Sequence, residues 1–510
     1  MPLLSALLPA LLLLLPAGAL AFDPISGDFT REDPGHVRVL SYNMLRAFPE
    51  GSASVVAAQD RILQALDPDV IAFQEIPVDT TEAQVQARLA ATLGGTWAVN
   101  LGNTDGFIRN GLATRWGLSM ERDDTTPASE VRGVTMGLVD VPDAIASRDI
   151  YFMVVHLKAS SGAENEARRQ QASDAMARWI GDARTPGGAI DLPAGTPIVA
   201  LGDFNFRDDS PGYLTLRDGD ILDNATYGPD IAPDWDGTSL RDAFPPDPAN
   251  WRFNTFSSRS TPSIRFDRIL FTDSTMQVAN TFVLNTASMT SAARAAAGLG
   301  SSDTATASDH LPIVADFAIT PTRPVVSHRD LFITEIMADP SGTDSQREWL
   351  EVYNRTGEPI DLRGFTLRDQ SGTRHTFGGA SPLLVPARSH FVLGLNANTS
   401  TNGGVPVGAV YGSVLLGNSA ADAVELYRGG VKIDGASFNN GPAGQDPPNV
   451  DWGGGPQVDG ASRVMTGSYI LGPTDAFATS TTPYSATDRG TPGTLNDFAE
   501  APGTAWLFEE

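Results

Sequence analysis

Apolar residues in the first part of the chain come in short runs, and each run stops at a polar side chain. Val37-Arg38-Val39-Leu40-Ser41-Tyr42 alternates and ends at Asn43. Val70-Ile71-Ala72-Phe73 ends at Gln74-Glu75, Ile150–Val155 ends at His156, and Pro197-Ile198-Val199-Ala200-Leu201 ends at Gly202-Asp203. Runs of this length, rich in β-branched and aromatic residues, read as largely buried strands. Between the first two, Val55, Val56, Ile62, Leu63 and Leu66 fit one face of a helix. Val85, Leu89 and Leu93 repeat that spacing, as do Ala172, Met176 and Ile180. Strands alternating with helices from Val37 to Phe317 predict one α/β domain.

Thr286–Ala307 is rich in Thr, Ala, Ser and Gly. It reads as a long loop with helical tendency at Ser291–Ala297, either a lid or an unstructured connection. Thr320–Ser327 carries Pro321 and Pro324 and reads as a linker. Beyond it strands become short and turn signals recur, at Arg355-Thr356-Gly357, Asp369-Gln370-Ser371-Gly372 and Arg428-Gly429-Gly430. No convincing amphipathic helix remains, which predicts an all-β sandwich finished by loops and short strands over Asn439–Asn496. The expected organisation is a leader at 1–21, an α/β domain at 30–319, a linker at 320–329, a β-sandwich domain at 330–498 and a tail at 499–510.

Composition adds limits. A chain of 510 residues is too long for one hydrophobic core, and 41% apolar residues exclude wholesale disorder. Leu3–Leu15 is apolar apart from Ser5 and Pro9, and Ala19 and Ala21 follow in the small positions of a cleavage site. This predicts a secretory signal peptide, and an extracellular or periplasmic protein. An uncleaved anchor is the alternative. No later run is long enough to span a bilayer, so the mature chain is expected to have no transmembrane segment. Zero cysteines exclude disulfides, thiolate metal sites and cysteine nucleophiles. The net charge of -26 argues against salt-driven DNA binding by a broad basic face. Only Lys158 and Lys432 among the 35 basic residues are lysine, and Arg makes bidentate phosphate contacts.

Taken singly, each polar strand end has an ordinary structural reading: a rim histidine, a turn-forming Asp or Asn, a strand entrance at Ser308-Asp309-His310. Together they are the residue types that phosphoester hydrolysis uses. Glu75, Asp309 and Asn43 can supply the oxygen ligands that a hard divalent cation prefers. An imidazole oriented by a carboxylate can take a proton from water near neutral pH. An amide such as Asn205 can donate to a non-bridging phosphate oxygen.

These residues lie in Leu40-Ser41-Tyr42-Asn43-Met44, Ala72-Phe73-Gln74-Glu75-Ile76, Val154-Val155-His156-Leu157-Lys158, Leu201-Gly202-Asp203-Phe204-Asn205, Arg265-Phe266-Asp267-Arg268-Ile269-Leu270 and Ser308-Asp309-His310-Leu311-Pro312. At these six segments, in this order, the chain resembles the endonuclease/exonuclease/phosphatase superfamily. The resemblance implies an α/β four-layer sandwich with a hydrolytic site at one edge. It implies that Glu75 holds a metal, Mg²⁺ first and Mn²⁺ or Ca²⁺ as alternatives, helped by Asn43 and Asp309. It implies that Asp267 pairs with His310 as general base, that His156 stabilises or protonates the opposite side of the phosphate, and that Asp203 and Asn205 orient nucleophile and phosphate. Family members differ in which group takes the proton, so the His310 and Asp203 roles are exchangeable. His156 points to the branch resembling pancreatic-type deoxyribonucleases or bacterial sphingomyelinases. Ile108-Arg109-Asn110-Gly111-Leu112 fits a further family position more loosely, and Arg109 reads equally as a surface arginine.

The later region resembles the lamin-tail domain, an immunoglobulin-like β-sandwich, at Ile333-Thr334-Glu335-Ile336-Met337, Glu348-Trp349-Leu350-Glu351-Val352-Tyr353-Asn354, Asp361-Leu362-Arg363-Gly364-Phe365 and Gly490-Thr491-Pro492-Gly493-Thr494-Leu495-Asn496. Glu335, Glu348 and Glu351 are expected to pair with arginines or face solvent, with a cation site as the alternative. Such a domain suggests attachment to a surface or matrix. The leading expectation is a secreted nuclease acting on nucleic acid. A sphingomyelinase-like or small-molecule phosphoesterase is second, weakened by the lack of an evident exposed aromatic hairpin. An adhesion protein with an inactive hydrolase domain is third.

Overall fold

The computed structural model describes residues 23–500 except 125–131, 209, 258–261, 320–325, 327–328, 358, 380–381, 443, 445–448, 453–457, 466, 469–476 and 498. The expected leader at 1–21, most of the linker at 320–329 and most of the tail at 499–510 lie outside these residues.

The first part runs β1 (Val37–Asn43), α1 (Ala53–Leu66), β2 (Val70–Pro77), α2 (Glu82–Leu93), β3 (Ala98–Thr104), β4 (Ile108–Thr114), β5 (Gly117–Asp124), β6 (Val134–Asp140), β7 (Ile150–His156), α3 (Ala163–Ala183), β8 (Ile198–Asp203), α4 (Pro211–Asp218), α5 (Asn224–Tyr227), β9 (Arg241–Asp242), β10 (Asp267–Phe271), β11 (Gln277–Val283), α6 (Ser291–Ala297), α7 (Asp303–Ala307) and β12 (Ile313–Ala318). These strands form two six-stranded sheets, ordered β11-β12-β1-β2-β4-β3 and β5-β6-β7-β8-β10-β9. Alternate residues of each strand face opposite layers. Val37 and Val39 join Phe152, Val154 and Val199 between the sheets, while Leu40 and Tyr42 face α1 and α2. On the far side Tyr151, Met153 and Val155 meet Met176 and Ile180 of α3. The result is the four-layer α/β sandwich expected.

Local signals place the helices. Ser52 caps α1, and α2 opens with a capping box of Thr81 and Gln84. Arg38 on β1 and Asp316 on β12 are register partners, both buried, and the guanidinium meets both carboxylate oxygens at 2.6 and 2.8 Å. The stretch 286–307 is neither lid nor loose connection. It folds into α6 and α7, buries Leu299 and Ala307 in the layer that holds α1 and Ala293 against Gly27, and is tied by the Arg61–Asp303 ion pair at 2.6 Å.

The second part is the all-β sandwich expected. One sheet is built on Leu331–Met337, Trp349–Asn354 and Ser389–Gly394, the other on Phe365–Asp369, Asp422–Arg428 and Val431–Phe438. Glu335, Glu348 and Glu351 correct the sequence reading. Among the described residues none pairs with an arginine, and all three are buried. Glu335 and Glu351 are register partners on neighbouring strands. Their oxygens accept from the Thr491 amide and hydroxyl (2.8 and 2.7 Å), the Gly493 amide (2.6 Å) and His390 Nδ1 (2.7 Å), and so pin the Gly490–Asn496 segment to the sheet. Glu348 accepts from the Leu416 amide at 3.0 Å.

The two parts are docked. The turn Arg428-Gly429-Gly430 lies on β11, where a Cβ on Gly430 would sit 1.9 Å from the Thr281 carbonyl oxygen. Only glycine permits that approach. The turn covers an edge strand that would otherwise be open. Beside it Trp251 packs on Tyr427 with ring centroids 4.5 Å apart and planes tilted by 57°, and Arg374 donates to the Ala249 carbonyl at 2.7 Å.

Candidate active site

Strand direction brings the polar ends to one edge. β1 and β2 are parallel and set Asn43 beside Gln74, one residue before Glu75. In the other sheet His156, Asp203 and Asp267 are direct register partners on β7, β8 and β10. β12 runs antiparallel to β1, so Asp309 and His310, just before it, enter at the same edge.

Asp203 is the junction. Its Oδ2 lies 3.5 Å from His156 Nε2, 3.5 Å from His310 Nε2 and 3.3 Å from Asn43 Nδ2. Asn43 Nδ2 also lies 3.3 Å from Glu75 Oε1, so one amide joins the carboxylates of the two sheets. Asn43 Oδ1 accepts from the Leu45 amide at 3.1 Å. As placed, Asn43 supports Glu75 as a donor rather than offering an oxygen to a cation. Asp203 Oδ1 accepts from the Asn205 amide at 3.0 Å, and Asn205 Nδ2 donates to the Leu157 carbonyl at 3.3 Å. His310 Nδ1 sits 2.8 Å from Asp267 Oδ2. Ser308 Oγ donates to the Asn43 carbonyl at 2.7 Å and accepts from the His310 amide at 3.1 Å, which fixes the approach of that segment.

Two site residues hold left-handed backbone. Glu75 has φ 58° at a bulge between Phe73 and Ile76, and Asn205 has φ 52°. Asn tolerates this region. For Glu75 the conformation costs about 1–2 kcal/mol. It is held because the Arg46 amide donates to the Glu75 carbonyl at 3.1 Å and the Met44 amide to that of Gln74 at 3.0 Å. The bulge re-aims the carboxylate to the edge.

The two imidazoles are in different states. Arg132, unforeseen from the sequence, lies with its guanidinium 3.1 Å from His156 Nδ1. Arginine has no acceptor, so Nδ1 must be bare and the ring hydrogen sits on Nε2, facing Asp203. Burial, then the Arg132 charge, hold the His156 ring well below its ordinary pKa. Both nitrogens of His310 face carboxylates instead. Burial opposes charge on that ring, but Asp267 and Asp203 outweigh it and push it up to about 10. Burial pushes the Asp203 carboxyl up, with His310 opposing. No motif marks Arg132, which follows a segment outside the described residues. Asn110 holds its neighbour, donating to the Gly133 carbonyl at 3.3 Å, whereas Arg109 turns to the Val78 carbonyl.

Three carboxylate oxygens here, Glu75 Oε2, Asp267 Oδ1 and Asp309 Oδ1, are buried without a hydrogen-bond partner among the described residues, and of these Glu75 Oε2 has an ion-pair neighbour, the largely exposed Arg46, whose Nε lies 3.4 Å away. A buried carboxylate oxygen left unpaired is costly, and a hard divalent cation is the group it fits. Asp203, Asp267 and His310 also place ligand atoms within 4.8 Å of one another. Both His310 nitrogens are already committed to carboxylates, so that cluster is better described as a hydrogen-bonded relay than as a cation cage. A second feature corrects the sequence reading. Phe107, at the β3–β4 turn, is 75% exposed. Asp105 of the same turn lies 3.7 Å from Arg132, so an exposed aromatic stands beside the site.

Residues 40–310, just over half of the chain, match the sequence model of the Endonuclease/Exonuclease/phosphatase family. The chain belongs to that family. Residues 324–440 match the Lamin Tail Domain, so an endonuclease/exonuclease/phosphatase domain is followed by a lamin-tail domain. The protein is a metal-dependent phosphoester hydrolase of this family. Solved structures similar to it include D. rerio TDP2 complexed with single-strand DNA product (17% identity, 56% of this chain and 99% of that chain, TM-score 0.37). Others are an endonuclease/exonuclease/phosphatase from Beutenbergia cavernae (16%, 78% and 98%, 0.37) and the human Nocturnin catalytic domain (17%, 56% and 95%, 0.38). No curated protein matches the chain.

Proposed function

We propose that the protein is a secreted nuclease that hydrolyses nucleic-acid phosphodiester bonds with a bound divalent cation, Mg²⁺ first. The observation that carries the reading is the position of Asp203, where both sheets and both imidazoles converge at 3.3–3.5 Å. Glu75 and Asp309 would hold the cation through the oxygens that accept no hydrogen bond, with Arg46 giving way at Glu75. When bound, it neutralises charge growing on the phosphate oxygens.

The protein's own groups do the rest. Of the two exchangeable roles, we give the proton-accepting one to Asp203 rather than His310. His310 faces carboxylates from both nitrogens and has no lone pair to offer, whereas Asp203 is a buried carboxylate whose affinity for a proton is raised. Asp203 takes the proton of the attacking water as its oxygen bonds to phosphorus and the leaving oxygen departs. His310, held by Asp267, supplies positive charge beside the phosphate. His156 donates one hydrogen bond from Nε2 to a phosphate oxygen, its tautomer set by Arg132. Asn205 orients the phosphate, and Asn43 keeps Glu75 in place. Secretion rests on the Leu3–Leu15 pattern, and surface attachment through the lamin-tail domain on its position after the enzyme.

A cavity of about 710 Å³ opens beside Asn205 against Phe206 and Phe266, which suits a nucleotide next to the reacting phosphate. The exposed Phe107 favours a second reading, a phosphodiesterase of lipid substrates, because a lone aromatic at a turn can enter a bilayer surface as well as stack on a base. Purified protein with Mg²⁺ is to be given duplex DNA, single-stranded DNA, RNA, sphingomyelin vesicles and bis(p-nitrophenyl) phosphate. Cleavage of a nucleic acid at the highest kcat/KM supports the proposal; preference for sphingomyelin overturns it in favour of the second reading.

A further inference from the structure

Beyond the cavity at Asn205 the surface continues as a second concavity of about 540 Å³, and the two share Arg207 and Ile264. The second is lined by four arginines, Arg207, Arg252, Arg265 and Arg368, against one acid, Asp208. That is a local excess of three positive charges on a chain whose net charge is -26.

The four arginines are not equivalent. Arg265 is committed to Asp208 and Asp242, both at 2.8 Å, and stiffens the floor. Arg207 and Arg252 are exposed and form no ion pair among the described residues. Arg368 belongs to the lamin-tail domain, on the strand Phe365–Asp369. It spends one nitrogen on Glu425 at 3.2 Å, while its Nε has no acceptor. Trp251 Nε1, in the same wall, has none either. Both of these atoms are buried and belong to the packing of the wall; the exposed guanidiniums of Arg207 and Arg252, with the outer face of Arg368 beside Phe253, are what a strand of phosphates and bases meets in the groove.

The domains are docked firmly enough to hold this wall. The Arg368 guanidinium lies 5.9 Å over the Trp251 ring, Trp251 packs on Tyr427, and Arg374 grips the Ala249 carbonyl from the other side of the same loop. The loop that carries Arg252 is therefore clamped between the two domains.

We infer that the lamin-tail domain forms the far wall of the substrate groove, so that a nucleic-acid strand with its scissile phosphate at Asp203 lays its flanking phosphates along Arg207, Arg252 and Arg368. The inference rests on the nuclease reading of the site. It gives the second domain a part in substrate binding, where a tether alone would leave catalysis on free substrate indifferent to it.

The test uses the full chain and its Arg252→Gln and Arg368→Gln variants, with single-stranded oligonucleotides of about 4 to about 12 nucleotides, the range of one strand-binding groove. For the wild type, KM falls as the oligonucleotide lengthens. Each variant raises KM for the long oligonucleotides about tenfold, lowers the long-to-short ratio of kcat/KM, and makes the logarithmic salt dependence shallower by about 0.7 per lost phosphate contact. A structural defect would lower kcat on all lengths alike, and that pattern overturns the inference. Length and salt dependence identical to wild type in both variants also overturns it and leaves the nuclease reading intact. Wild-type hydrolysis of bis(p-nitrophenyl) phosphate but of no oligonucleotide overturns the nuclease reading, and this inference with it. Should Arg368→Gln melt early, Arg368→Met, which keeps the stem over Trp251 and removes the charge, repeats the test in the lamin-tail wall, with the same two outcomes.

Discussion

Removing the Arg132 guanidinium tests whether His156 works as a neutral ring with a fixed tautomer. The side chain is nearly buried, donates to His156 Nδ1 at 3.1 Å and also approaches the Leu157 carbonyl at 3.5 Å. A hydrogen bond from a charged donor is worth about 1.5–3 kcal/mol. If that energy serves to hold Nε2–H towards the phosphate, its loss lowers kcat about 10- to 150-fold. Arg132→Ala is therefore expected to cut kcat by that factor on bis(p-nitrophenyl) phosphate, with a much smaller change in KM. Arg132→Gln keeps a donor and is expected to recover part of the loss. The pH profile adds a sign. Burial, the larger cause of the low His156 pKa, remains in the alanine variant, but the second cause is gone. The acid limb is expected to move to higher pH. A kcat within twofold of wild type and an unmoved acid limb would refute the reasoning.

Asp203→Asn is expected to lower kcat about 10²- to 10⁴-fold, the span of a lost general base, with melting temperature retained; a loss under tenfold in single-turnover assays returns the proton-accepting role to His310. Asp316→Ala strands the buried Arg38 charge and is expected to cost about 3–5 kcal/mol, read as a lower urea midpoint; an unchanged midpoint refutes it. In the lamin-tail domain, burial pushes Glu348 up to about 7 and raises Glu335, which Glu351 reinforces. A carboxyl with a raised folded pKa keeps its proton longer in the folded state, so stability falls as pH rises from about 4.5 to about 7. Thermal unfolding is expected to show that domain more stable at pH 5 than at pH 8, and Glu348→Gln to reduce the difference; the opposite order contradicts it.

Much of the site was legible because strand ends are legible. Apolar runs that stop at Asn43, Glu75, His156 and Asp203 announce buried strands, and parallel pairing of β1 with β2 and of β7 with β8 brings those stops together. Register was not legible. That His156, Asp203 and Asp267 stand side by side follows from pairing between strands far apart in sequence. Arg132 was missed because it acts on a ring 24 residues away from a loop without periodicity. Phe107 was missed because a single aromatic in Asp105-Gly106-Phe107 carries no pattern. Thr286–Ala307 looked loose because Ala, Ser and Thr give weak periodicity. Its order comes from tertiary partners, Arg61 for Asp303 and the α1 face for Ala307. The glutamates of the second domain looked like arginine partners or solvent-facing charges. Burial at and beside neighbouring strands of one sheet gave them hydroxyls, backbone amides and the His390 imidazole as partners.

The central claim is that this edge hydrolyses phosphodiesters through a bound divalent cation and the Asp203 junction. One measurement bears on it most directly: turnover of bis(p-nitrophenyl) phosphate by wild type and His310→Ala, each with Mg²⁺ and with excess chelator, on protein whose folding is checked by circular dichroism. The account predicts turnover for wild type with Mg²⁺, none above background with chelator, and none for His310→Ala despite a native spectrum. Turnover that survives the chelator, or a near-normal rate for His310→Ala, would contradict it.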